Sequence, residues 1–312
     1  MWMFILALFY SIPSLILYVS TVYVIIKYWK TLKSSFFVWY ILDFGMNLFT
    51  TCVTFITLKL SSVTCQTCLL SPLYESLQES FVSNFMYAMM YHMSYVQYAT
   101  TAIISMNRLT ILVDHIFFEP IWRKYSFVLI FFVYFFPFIS TGQLFESTCR
   151  YGNRTDGTFV LSCSLPTSIL FTPLIIFQVG CMVCSIICNA TSFFIVLRAS
   201  KEIKVKMEIN FLILISVTTA VMLLGAVVSL YLSNYPKGSM YNIFHTYLLP
   251  IISDLFTIMH PWLLYILSKP IKNYVNRDVF RMKTSTVEVI PHNSRVGSHQ
   301  NNPNGSRIEI KF

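Results

Sequence analysis

Apolar and polar positions divide the chain into seven long apolar stretches joined by short polar ones. They are Met3–Ile26, Phe36–Leu58, Phe81–Asn107, Phe127–Phe145, Ser168–Leu197, Ile209–Leu232 and Ile243–Leu267. Each reaches or approaches the ~20 apolar residues that a helix needs to cross a bilayer core. The pattern predicts an all-α membrane protein, a bundle of seven transmembrane helices over residues 1–267. The third stretch differs from the rest. Continued to Val113, it carries Asn84, Tyr87, Tyr91, Ser94, Tyr98, Thr101, Ser105 and Arg108 at steps of three or four. That spacing places all eight on one face of a helix, along roughly 36 Å at 1.5 Å per residue. Lipid does not tolerate such a face, so it is expected to look into the bundle or a wet cavity.

Composition agrees with a membrane chain: 56% of residues are hydrophobic and only 11% charged, against about 25% charged in a soluble domain. The net charge of +9 raises the question of nucleic acid, but its distribution answers otherwise. All but Lys59, Arg150, Arg154 and Lys237 of the 22 Lys and Arg fall in alternate loops and the C-terminal tail. Basic residues mark the cytoplasmic side. The expected orientation is N-terminus outside and C-terminus cytoplasmic, with membrane lipids as partners and no nucleic acid. Met3–Ile26 lacks a basic leader and is followed by Lys27, Lys30 and Lys33, so an uncleaved anchor is expected.

On the side read as extracellular lie Cys65, Cys68, Cys149 and Cys163, candidates for disulfides in any of three pairings. Asn153-Arg154-Thr155 in the same region is a usable glycosylation sequon, whereas Asn304-Gly305-Ser306 falls in the cytoplasmic tail. Two carboxylates sit inside spans. Asp43 reads either as an internal switch or as a partner of Lys33 or Arg108. Asp254, near mid-membrane, needs a partner or a cavity. Pro261 reads as a hinge or a static kink of the last helix. From Ser268, residues 268–283 suit a short amphipathic helix on the inner leaflet, with Ile271, Tyr274, Val275 and Val279 as its apolar edge. Residues 284–312 are rich in Ser, Asn and Gly and read as a disordered cytoplasmic tail.

No cofactor or metal is expected. His92, His115, His245 and His260 are scattered, and Cys65-x-x-Cys68 has no second metal pair beside it. No nucleophile motif accompanies a base, so no enzyme is indicated. The last span holds no lysine for a retinal linkage.

Ser105-Met106-Asn107-Arg108-Leu109-Thr110 ends the third stretch, and Glu119-Pro120-Ile121-Trp122-Arg123-Lys124 follows. These segments resemble the nematode serpentine receptors of class gamma; class V receptors share much of the pattern. The resemblance covers roughly residues 1–275. It implies a chemoreceptor-like G protein-coupled receptor of the plasma membrane, taking an unknown small-molecule ligand from outside and a heterotrimeric G protein within. It also sets Asn107-Arg108 where rhodopsin-like receptors carry Asp/Glu-Arg-Tyr. Asn107 is neutral here and Leu109 is not aromatic, so that acid–arginine lock is absent. His260-Pro261-Trp262-Leu263-Leu264-Tyr265 is loosely similar to the Asn-Pro-x-x-Tyr element of those receptors. The expected ligand contacts are Asn84, Tyr87, Tyr91, Ser94 and His245. The expected coupling residues are Asn107, Arg108, Asp254, Pro261 and Tyr265. A transporter using the polar third helix and Asp254 is the alternative, though no internal repeat supports it.

Overall fold

The computed structural model describes residues 2–32, 34–78, 80–154, 157–198, 203–234, 244 and 248–282. Seven long helices carry it: α1 (Trp2–Lys27), α2 (Ser35–Thr54, prolonged by π-helical Phe55–Leu60), α3 (Phe81–Val113), α4 (His115–Phe135), α5 (Thr167–Arg198), α6 (Ile203–Asn234) and α7 (Leu249–Leu267). The shorter α8 (Lys269–Asp278) follows at once. The amphipathic segment is therefore helical as far as Asp278. The tail from 284 onward, Lys33 and His245 lie outside the described residues.

Local chemistry sets the helix ends. Ser34 and Ser80 accept backbone N–H groups at the starts of α2 and α3. Asp114 alone joins α3 to α4: its N–H reaches the Thr110 carbonyl, and its carboxylate accepts the Phe117 N–H at 3.0 Å. The fourth helix thus begins at His115, well before the expected Phe127. What reads as an inner loop is helical because Trp122 donates to Thr110 at 2.7 Å and Glu119 is fixed to α2. Pro137 ends the regular helix, and the short turns Phe138–Thr141 and Gln143–Glu146 continue it.

Six of the seven helices are long and apolar enough to cross a membrane by length and composition; α3 is too polar to qualify. Its position explains why that is tolerable. The helix packs on α2, α4, α5 and α6, while α7 closes the ring against α6, α1 and α2. From Ser83 to Ser105 no residue of α3 is exposed. The outward faces are apolar instead, with Phe9, Ile16, Phe131, Ile139, Ile176 and Ile187 all exposed, as a lipid-facing shell requires.

A β-hairpin covers one end of the bundle. Strands β1 (Cys149–Asn153) and β2 (Phe159–Cys163) are antiparallel, with Cys149 opposite Cys163. These two form one disulfide and Cys65–Cys68 the other. Cys65 bridges to Thr158, and the Phe159 N–H reaches the Ser61 carbonyl, which fastens the hairpin to the end of α2. Beneath it Tyr74, Tyr151 and Phe159 are buried together. Burial pushes the Tyr74 phenol up to about 12, so it stays a neutral donor, to the Ile56 carbonyl at 2.9 Å.

At the opposite end α8 docks on the protein. Ile271 and Val275 are fully buried against α1, α2 and α7, and Tyr274 stacks on Tyr28 at 4.2 Å. This corrects the expectation of an apolar edge resting on lipid: α1 extends far enough to occupy that edge. Lys27, Arg277 and Tyr28 converge on Asp278. Burial pushes the Asp278 carboxyl up, but these hydrogen bonds outweigh it and hold the group below the usual carboxylate range.

Candidate functional site: a roofed cavity and a polar axis

Under the hairpin lies a cavity of ≈ 180 Å³. Its wall is built by helical periodicity. Tyr87, Tyr91, Ser94 and Tyr98 come from the polar stripe of α3, and Gln97 from beside it on the same helix. Thr50, Thr54 and Thr57 come from α2 at the same three- and four-residue steps. Phe171, Leu174 and Gln178 come from α5, Gly225 and Ser229 from α6, and Ile252, Ser253 and Phe256 from α7. Arg154, Val160 and Leu161 form the roof. The threonine hydroxyls of α2 return their protons to carbonyls one turn back: Thr50 to Met46, Thr54 to Thr50, Thr57 to Val53. They therefore present oxygen lone pairs to the cavity. Tyr98 forms part of the floor, stacked on Phe256 and donating to the Met222 carbonyl at 3.1 Å. A Cβ on Gly225 would lie 2.6 Å from the Tyr98 hydroxyl, which is why α6 carries a glycine there.

A polar chain descends from this floor. Gln97 donates to Asn47 at 3.1 Å, Asn47 to Asp43 at 2.8 Å, and Tyr18 to Asp43 at 2.8 Å. His260 brings Nδ1 to 2.9 Å from Asp43, close but not aligned as a hydrogen bond, while its Nε2 lies 3.3 Å from Thr218. Five helices, α1, α2, α3, α6 and α7, thus meet at one buried carboxylate. Of the two partners weighed for Asp43, Lys33 lies outside the described residues and Arg108 rests on Phe36; His260 on α7, remote in sequence, reaches the carboxylate. A second cavity of ≈ 20 Å³, bounded by Asp43, Thr101, Thr218, His260 and Phe36, sits beside it. Below, Arg108 lies 4.0 Å above the Phe36 ring. Asn107 donates to Ser35, whose N–H and hydroxyl both bind Glu119 at 2.8 and 2.7 Å; Glu119 also pairs with Arg123.

Asp254 has a strong partner. Its carboxylate takes Lys59 at 2.7 Å and the Tyr10 hydroxyl, all within the α1–α2–α7 seam. Lys59 is 8% exposed. This corrects its assignment to an outer loop: α2 runs on as a π-helix and carries Lys59 inward.

Of the residues expected at a ligand, Tyr87, Tyr91 and Ser94 line the cavity. Asn84 does not: its amide accepts the Cys149 N–H at 2.9 Å and donates to the Phe145 carbonyl, tying α3 to the hairpin. Tyr265 donates to Asn276 at 2.6 Å and so holds α8, and α7 runs unbroken through Pro261. Gln97, Gln178 and the α2 threonines went unremarked in the sequence, although the threonines repeat with the period that singled out α3. Among the described residues no group of three metal-ligating side chains is assembled.

Residues 4–275 match the family model described as Srg family chemoreceptor. A curated relative, serpentine receptor class gamma-31 of Caenorhabditis elegans, is 26% identical over 279 residues, which is 85% of this chain and 88% of that protein.

The buried ion pair gives a direct test. Lys59→Met or Asp254→Asn leaves its partner unbalanced in the seam and is expected to cost about 3–5 kcal/mol. The double substitution Lys59→Met/Asp254→Leu leaves no orphan charge and should cost less than either single change. Thermal unfolding of the purified variants in detergent reads the order directly; a double variant less stable than both singles would contradict the pairing.

Proposed function

The chain belongs to the Srg family of chemoreceptors, serpentine multi-pass membrane proteins, and from that premise we propose that it is a G protein-coupled chemoreceptor. A small molecule enters from the extracellular side beneath the hairpin and binds in the large cavity, against Tyr87, Tyr91 and Ser94. It favours whichever packing of Tyr98 and Phe256 it contacts better, because a ligand shifts an equilibrium only by its differential affinity for the two states. The change passes down the polar axis to Arg108. There the α2–α3–α4 contacts around Asn107 and Glu119 open to a heterotrimeric G protein.

The observation that carries this reading is the continuity of α3. One helix supplies the cavity wall at Tyr87–Tyr98, the edge of the small cavity at Thr101 and the Arg108 end. A transporter path through Asp254 is disfavoured, since Asp254 is held by Lys59 and Tyr10 and does not line the cavity.

Two experiments test the proposal. Membranes carrying the chain and a panel of G proteins should show basal nucleotide exchange. Arg108→Ala, at equal surface expression, should lower it severalfold. A solute flux or current abolished by Asp254→Asn would contradict a receptor. The orientation is tested at Asn153, which is exposed on β1. On this reading it carries a glycan that endoglycosidase removes and Asn153→Gln lacks; a protein that is never glycosylated there in a secretory-competent cell would argue against an outward hairpin.

A further inference from the structure

Charge around the cavity is one-sided. Among the described residues, its wall contains a single charged side chain, Arg154, and no Asp or Glu. Arg154 is half-buried in the roof and has no ion-pair or side-chain hydrogen-bond partner among the described residues. Two buried carboxylates adjoin residues of the wall, and both are already engaged. Asp254 is neutralised behind the wall by Lys59 and Tyr10, and Asp43 lies below the floor with His260, Tyr18 and Asn47. Among the described residues of the wall a cationic ligand would thus find no counter-charge, while an anion would find one guanidinium placed to form charge-assisted hydrogen bonds.

A second observation points to an occupant. Gln178 is 3% exposed and lines the cavity, yet its buried Oε1 has no hydrogen-bond partner. Buried polar atoms are ordinarily paired, so this one fits a site completed by a molecule with polar groups. Phe171, Leu174, Ile252 and Phe256 supply an apolar middle. We propose that the cavity takes a monoanionic amphiphile, its carboxylate held by Arg154 under the hairpin and its apolar body lying between Phe171, Leu174 and Phe256. This deepens, and rests on, the reading of the cavity as the ligand site.

The test uses three water-soluble probes with one body: 4-phenylbutyrate, 4-phenylbutanol and 4-phenylbutylamine. Each is titrated into the full chain in nanodiscs of zwitterionic phosphatidylcholine, where no anionic lipid competes. The carboxylate is expected to bind about tenfold more tightly than the alcohol, and the amine more weakly than both. Arg154→Gln, which leaves the Asn153-x-Thr155 sequon intact, should bring the carboxylate down to the alcohol without weakening the alcohol. Arg154→Lys should keep part of the preference. Raising the salt should narrow it, because a half-exposed pair is screened.

Ser94→Phe and Ser229→Phe fill the cavity and serve as separate controls. Amine binding as tight as the carboxylate, or a carboxylate preference that survives Arg154→Gln, overturns the anionic class. If the filling variants still block the alcohol, the cavity reading stands. Binding of no probe, or binding indifferent to both filling variants, overturns the cavity reading and the anionic class together.

Discussion

A helix as polar as α3 persists in an apolar environment only when other helices enclose it. In hydrocarbon there is no water to receive an unpaired hydroxyl or amide, and each one left over costs several kcal/mol. The architecture answers that constraint. Helices α2, α4, α5 and α6 surround α3, and α7 closes the ring with α1. Glycine at 225 lets the Tyr98 hydroxyl sit against α6. Lys59, buried between helices, and Asp254, deep in α7, neutralise each other, with Tyr10 as a third member. Two buried polar atoms without a hydrogen-bond partner, Gln178 Oε1 and His260 Nδ1, belong to residues that line the two cavities.

The same constraint makes the interior a connected object. Gln97, Asn47, Asp43, His260 and Thr218 touch in sequence across four helices, and Tyr18 adds a fifth. None of these side chains can leave without stranding the next. An interior of this kind has few arrangements, which suits a protein read here as switching between discrete packings. At the Arg108 end an acid is present after all, though not beside the arginine in sequence. Glu119 of α4 binds the first turn of α2, Asn107 of α3 joins through Ser35, and Arg108 rests on Phe36.

Periodicity made much of this legible. The seven helices follow from apolar runs, and the inward face of α3 from eight polar positions in register. What escaped depends on contacts distant in sequence. Lys59 and Asp254 lie 195 residues apart, and nothing local says that α2 continues as a π-helix past Thr54. Asp43 looked close enough to the interface to meet Lys33 or Arg108; only the packing of α7 brings His260 to it. Asn84 belongs to the polar stripe by spacing, yet it stands one turn too high, where the hairpin claims its amide. The cysteine pairing needed the strand register that sets Cys149 opposite Cys163. The α2 threonines are different. Thr50, Thr54 and Thr57 carry the same periodic signal as α3, and the sequence could have yielded them.

The central claim is that the stripe of α3 faces an aqueous cavity open beneath the hairpin while its opposite face is packed shut. It is tested most directly by cysteine accessibility, with Cys52, Cys181, Cys184 and Cys188 first replaced by alanine or serine. Ser94 lines the cavity, whereas Val96, two residues on, is fully buried among apolar side chains. A membrane-impermeant thiol reagent added outside intact cells should label Ser94→Cys readily and leave Val96→Cys untouched. Equal labelling of both, or labelling of Val96→Cys alone, would contradict the account.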